Sequence, residues 1–188
     1  GAGRFVLQSA ESMTPQKRDL IYINGGLDRE IASFSYHDIQ SEAEELNGSA
    51  ALQFLTPTML GDSTGHTSRP ALRSLLFNLL KRANQLSSFF GTGPLYMPKE
   101  CRIILKNAEE VAIKSAHVNE TYSRGQSNRL NDSRDEFPCQ EPPYFMGEIV
   151  YEGTFSKEIM ALLTLGQIIH VGKRAEAGNG LFHVQAKG

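Results

Sequence analysis

Near the end of the chain, His170-Val171-Gly172-Lys173-Arg174-Ala175-Glu176-Ala177-Gly178-Asn179-Gly180 sets three glycines around two adjacent cations. Glycine admits positive φ, and the amides of such a loop can converge on an anion. The layout is not a Walker loop, where four residues separate a first glycine from Gly-Lys-Ser/Thr. Here five residues lie between Gly166 and Gly172, and Arg174 follows the lysine. A dinucleotide fingerprint needs a strand before its glycines and a helix after them; here an apolar helical stretch precedes them and Leu181-Phe182-His183-Val184-Gln185 follows as a strand. These residues alone leave two readings open: a loop facing an anion, and a glycine-rich helix-to-strand connection without a ligand. His170 is similarly double. A base beside a cation suits phosphodiester chemistry, while a histidine at a helix end also caps the last turn.

Other candidate groups are scattered. None of His37, His66, His117, His170 and His183 forms a pair at metal-ligand spacing, and Cys101 and Cys139 do not complete a ligand set, so no metal and no cofactor is expected. There is no Gly-x-Ser-x-Gly elbow. Arg69, Arg73, Lys81 and Arg82 could line a groove for a nucleic-acid backbone or form a solvated face, and Arg124, Arg129 and Arg134 carry the same ambiguity among nearby acids. Tyr122 could stack a base or cover the core from a strand end.

The chain has 188 residues, 40% apolar and 21% charged, with a formal net charge of −2. That supports one good-sized domain with a real core, or one domain and part of another. Near-neutral charge excludes a strongly basic nucleic-acid coat, so any such site is a local patch. No run of apolar residues is long enough to span a bilayer, no signal peptide is evident, and unpaired thiols fit a reducing cytoplasm.

Strand and turn signals dominate residues 1–45: Phe5-Val6-Leu7, then Leu20-Ile21-Tyr22-Ile23 before Asn24-Gly25-Gly26, then a weaker candidate over 31–36. The acidic run at 42–45 reads as a solvated face or short helix. From Leu52 the pattern sharpens. Leu52-Gln53-Phe54-Leu55 is a strand stopped by Thr56-Pro57. Ser68 and Pro70 open a helix whose Leu72, Leu75, Leu76, Leu79, Leu80, Ala83 and Leu86 share one face. Residues 91–108 read as a proline-containing linker with room for one helical turn, 110–122 as a strand, 123–143 as a long polar loop, and 145–151 as a strand closed by Glu152-Gly153. Ser156 caps a closing helix that is apolar on most sides. Strand, helix, strand, strand, helix, strand is the α+β ferredoxin-like βαββαβ unit: a four-stranded antiparallel sheet with both helices on one face. That fold hosts many functions, including RNA binding on the open sheet face.

Several stretches together resemble the repeat-RNA processing endoribonucleases of CRISPR systems, part of the RAMP superfamily. They are Leu52-Gln53-Phe54-Leu55-Thr56-Pro57-Thr58, the Leu- and Arg-rich helix from Leu72 to Leu86, Tyr122-Ser123-Arg124-Gly125-Gln126, Gly147-Glu148-Ile149-Val150-Tyr151-Glu152-Gly153, and the closing helix with its glycine-rich loop. The match runs in order over about residues 50–186, with two departures: Arg124-Gly125 stands where x-Arg is usual, and Asn179 replaces a common Leu.

The resemblance implies that 49–188 is the second of two ferredoxin-like domains, and that 1–48 is the tail of the first or the crossover from it. It also implies metal-free cleavage by a 2′-hydroxyl attacking the adjacent phosphate, with the general base commonly a histidine of the first domain. No catalytic residue is therefore assigned here. RNA contacts are expected at His170, Gly172, Lys173, Arg174, Gly178 and Gly180, with Tyr122 and Arg124. The implied partners are a CRISPR repeat transcript and other CRISPR effector subunits, with no membrane. Two alternatives remain: a non-catalytic RAMP subunit holding guide RNA or a protein, and an unrelated ferredoxin-like module that binds a small molecule or dimerises.

Overall fold

Glycine, proline and capping signals set the element boundaries of the computed structural model, which describes residues 9–13, 18–23, 26–27, 35–62, 65–66, 68–121 and 144–187. The chain divides into two compact units, residues 1–42 and 43–188. In the first, β1 (Ser9–Met13), β2 (Arg18–Ile23) and β3 (Gly26–Leu27) pair antiparallel in that order. This is the expected β-rich segment, while Phe5-Val6-Leu7 falls outside the described residues. Of the weak strand expected over 31–36, residues 31–34 fall outside the described residues, and Tyr36 opens a helix instead, α1 (Tyr36–Glu42). Ser35 and Asp38 explain the change: the Asp38 carboxylate accepts from the Ser35 amide (2.6 Å) and hydroxyl (2.8 Å), a reciprocal cap that starts a helix. Those bonds hold the Asp38 carboxyl below its usual range.

The second unit contains β4 (Leu46–Thr58), the short hairpin β5 (Gly61–Asp62) and β6 (Gly65–His66), α2 (Leu72–Phe90), α3 (Pro98–Asn107), β7 (Ala112–Thr121), β8 (Tyr144–Phe155), α4 (Lys157–Ile169) and β9 (Phe182–Lys187). The main sheet runs β7-β8-β4-β9, antiparallel throughout, which is the ferredoxin-like order. Two expectations need correction. Thr56-Pro57 does not stop the strand: the register shifts between Phe54 and Thr58, and this irregularity accommodates Pro57. The stretch 91–108 is not merely a linker, because Pro98 opens α3 and the Glu100 carboxylate accepts from the Met97 amide at 2.6 Å.

Residues of one parity face the helices. Leu52, Phe54, Phe145, Ile149, Tyr151, Phe155 and Phe182 are almost wholly buried, against Leu72, Leu75, Leu76 and Leu79 of α2 and Ile159, Leu162 and Leu163 of α4. The Phe54 ring meets Phe145 edge-on at 4.9 Å and lies 5.6 Å from Phe182. Ser156 caps α4 as expected, accepting from the Ile159 amide at 3.4 Å. The start of α2 differs: its cap position is Ala71, with no side-chain cap.

Candidate nucleic-acid interface

The leucine stripe commits one side of α2 to the core, so Asn78, Lys81, Arg82 and Gln85, spaced i, i+3, i+4, i+7, line its other side. Opposite them, the loop after α4 brings Gly172, Lys173, Arg174 and Glu176, and Met59 and Gly61 complete a groove of about 420 Å³. Four cations and one carboxylate therefore converge in a protein whose net charge is only −2. The basic residues of the long helix do not act as one set. Lys81 and Arg82 line the groove, whereas Arg73 pairs with Glu109 at 2.9 Å.

The loop is built as a fixed wall. Val171 donates to Gly180 O (3.0 Å), Lys173 to Met59 O (3.0 Å) and Gly180 to Pro57 O (3.1 Å), while Ala177 and Asn179 donate to Arg174 O and Gly178 donates to Ala175 O. These six amides are spent on protein carbonyls, which fixes the shape of the loop. What the loop turns outward is the exposed side chains of Lys173, Arg174, Glu176 and Ala177 and the exposed Gly178. Arg174 itself takes a left-handed conformation, φ 59°, before the short turn 175–177.

Thr56 ties the far end of the loop to β4: its hydroxyl donates to Gly178 O (3.0 Å) and accepts from the Leu181 amide (2.9 Å). Thr56→Val keeps the shape and removes both bonds. A loss of about 1–3 kcal/mol is expected in urea unfolding; an unchanged midpoint would show that the loop holds without it.

His170 is the last-turn cap of α4. Its amide donates to Gly166 O at 2.9 Å, and its φ of 61° turns the chain out of the helix. The side-chain Nδ1 is buried and has no hydrogen-bond partner among the described residues. The cation at this helix end is Arg82, whose Nε donates to Ile169 O at 2.5 Å. Arg82 thereby joins α2 to the root of the loop while lining the groove. Tyr122 and Arg124, with Arg129, Arg134 and Cys139, lie outside the described residues. Asn78, Gln85, Met59 and Glu176 were absent from the sequence-based candidates. The polar spacing along α2 carried a signal for Asn78 and Gln85, but nothing in the sequence placed the loop opposite them.

His117 and His183 share one face of the sheet on its two outer strands. Pairing places His117 opposite Glu148, Glu148 opposite Gln53, and Gln53 opposite His183, a polar row across all four strands on the face away from the helices. Lys187 Nζ holds the Glu148 carboxylate at 3.0 Å. Among the described residues no group of three or more His, Cys, Asp or Glu side chains could hold a metal ion.

The family model of the CRISPR-associated endoribonuclease Cas6 matches residues 52–182, from the middle of β4 to the start of β9. The chain belongs to the Cas6 family. The Cas6 match embraces both walls of the groove. No curated protein matches the chain. Among solved structures, Thermus thermophilus Cas6 has a TM-score of 0.56 at 22% identity over 81% of this chain and 58% of that one. A Cas6 product complex gives 0.53 at 22%, covering 81% and 57%. A partial Cas6-RT-Cas1–Cas2 complex gives 0.56 at 12%, covering 85% and 28%. At these identities the likeness is one of fold. The chain spans less than three fifths of the length of the Thermus Cas6 chain.

Proposed function

We propose that this chain is the RNA-holding domain of a Cas6 endoribonuclease that processes CRISPR repeat RNA, and that the basic groove between α2 and the glycine-rich loop takes the RNA backbone. One observation carries the reading: Lys81, Arg82, Lys173 and Arg174, far apart in sequence, line one groove inside the segment matched by the Cas6 model. Phosphate contacts dominate nucleic-acid affinity, and paired walls of Lys and Arg suit them. His170, Gly172, Gly178 and Gly180 belong to the site by holding the loop in place, and we propose Tyr122 and Arg124 as further RNA contacts.

On this reading residues 49–188 are the RAMP-type domain and 1–48 belong to a preceding domain or the crossover from it. The general base for 2′-hydroxyl attack comes from the part of a Cas6 protein that this chain does not span. No residue here is assigned a catalytic role, and the reaction is metal-independent. A solved Cas6 product complex and a Cas6-RT-Cas1–Cas2 assembly support RNA and other CRISPR proteins as partners. Among the described residues no helix is long and apolar enough to cross a membrane, in keeping with a cytoplasmic place of work.

The test is a binding titration of a repeat-RNA hairpin at several salt concentrations. Lys173→Ala with Arg174→Ala is expected to weaken binding at every salt and to make the slope of log K against log salt shallower by roughly 1.4–1.8, the release from two phosphates. Unchanged affinity and slope in the double variant would remove the groove from RNA binding.

A further inference from the structure

We infer that the groove also takes one unpaired guanine, read on its Watson–Crick edge by Glu176. The inference rests on the reading that the groove holds RNA. A site for phosphate alone gains nothing from a carboxylate, which repels phosphate oxygens and weakens the field of the four cations around it. Glu176 nevertheless lines the groove beside Lys173 and Arg174. A carboxylate with two acceptor oxygens calls for two adjacent donors.

Among the four RNA bases only guanine presents them, N1–H beside the N2 amino group. Adenine and cytosine each set one amino group beside a ring acceptor, and uracil sets one N–H between two carbonyls. Guanine also carries O6 and N7, acceptors that Lys, Arg and carboxamide donors satisfy; Lys81, Arg82 and Gln85 line the α2 side of the groove. The Asn78 amino group is already committed to Gly61 O (3.0 Å) and Ser74 O (2.8 Å), which leaves its oxygen as a further acceptor.

Shape points the same way. The volume of about 420 Å³ lies in the range of small-ligand clefts, roughly 300–1,000 Å³. Bases inside an A-form duplex are hidden from side chains by its deep, narrow major groove, whereas unpaired bases expose their edges to hydrogen bonding.

The test uses the whole chain and four fluorescent RNA 12-mers, all uridine except for the sixth residue, which is G, A, C or U. The G oligomer is expected to bind about 5- to 100-fold more tightly than the other three, the discrimination of one good bidentate contact. Glu176→Gln should abolish that preference and at the same time tighten binding of the all-uridine 12-mer, because a repulsive charge is lost. A merely structural role for Glu176 would not produce this opposite pair of changes. Equal binding of all four oligomers, with Lys173→Ala plus Arg174→Ala still weakening every one, would overturn the guanine site and leave the backbone reading standing. No weakening in that double variant would instead sink the backbone reading itself.

Discussion

Gly180→Ala is expected to cost the 43–188 unit about 4 kcal/mol or more, enough to leave a marginal domain largely unfolded. The glycine sits at φ +73°, and a Cβ there would lie 1.7 Å from Val171 O and within 3 Å of the Val171 carbonyl carbon and amide nitrogen. All three are backbone atoms, so no side-chain rotation relieves the clash. Moving them apart breaks the Val171-to-Gly180 bond, which closes the loop on itself, and pulls on Gly180-to-Pro57, which ties it to β4.

Gly178→Ala is the control. Its φ is +92°, yet nothing lies within 4 Å of the added carbon. Only the conformational penalty applies, about 1–2 kcal/mol. Urea unfolding of the two variants should therefore separate by several kcal/mol. Equal midpoints would mean that close approach does not explain Gly180. Gly172→Ala belongs with Gly180, since its Cβ would meet Met59 O at 2.3 Å.

That contrast marks how far the sequence could be read. Three glycines announced positive φ, and all three have it. Which of them are pressed against backbone depends on Met59 and Val171, and the packing of the loop on the end of β4, which one sequence does not display, brings Met59 there. The leucine stripe of α2 and the Ser156 cap of α4 were legible because both signals are local. The βαββαβ order followed from the elements after Leu52. By contrast Pro98 hides α3, because it reads as a breaker unless Glu100 is recognised as its cap, and Pro57 reads as a strand end because only the register shift against β8 lets a proline sit within β4.

The candidate site was legible only in halves. Lys173 and Arg174 stood out in their loop, Lys81 and Arg82 in their helix, and nothing in the spacing said that these pairs face one another. Glu176 was passed over because a lone acid beside two cations is usually a solvated neighbour. Its place in the groove opposite Lys81 and Arg82 gives it a chemical meaning.

The second large effect concerns the anchor of α2. Tyr151→Ala is expected to cost about 3–5 kcal/mol, the usual result of removing a buried aromatic from a packed core. Tyr151 is fully buried on the helix face of β8, and its hydroxyl donates to Pro70 O at 2.7 Å, just before α2 begins. Since α2 lacks a side-chain cap, this bond from the sheet fixes where the helix enters, and with it the groove face of Asn78, Lys81, Arg82 and Gln85.

Tyr151→Phe separates the hydroxyl from the ring. It keeps the packing, leaves the buried Pro70 carbonyl without its donor, and should cost about 1–3 kcal/mol. Burial also pushes the Tyr151 phenol well above the ordinary value of about 10. Above that pH the unfolded chain releases the proton while the native chain retains it, so this group lowers stability by about 1.4 kcal/mol per pH unit. Below it both states are protonated and the effect vanishes. Urea unfolding at pH 9 and pH 11 should therefore show the gap between wild type and Tyr151→Phe narrowing at the higher pH. A gap that stays constant would mean that the phenol reaches water in the native state, and the hydroxyl could not then be the buried tie that seats α2 against the sheet.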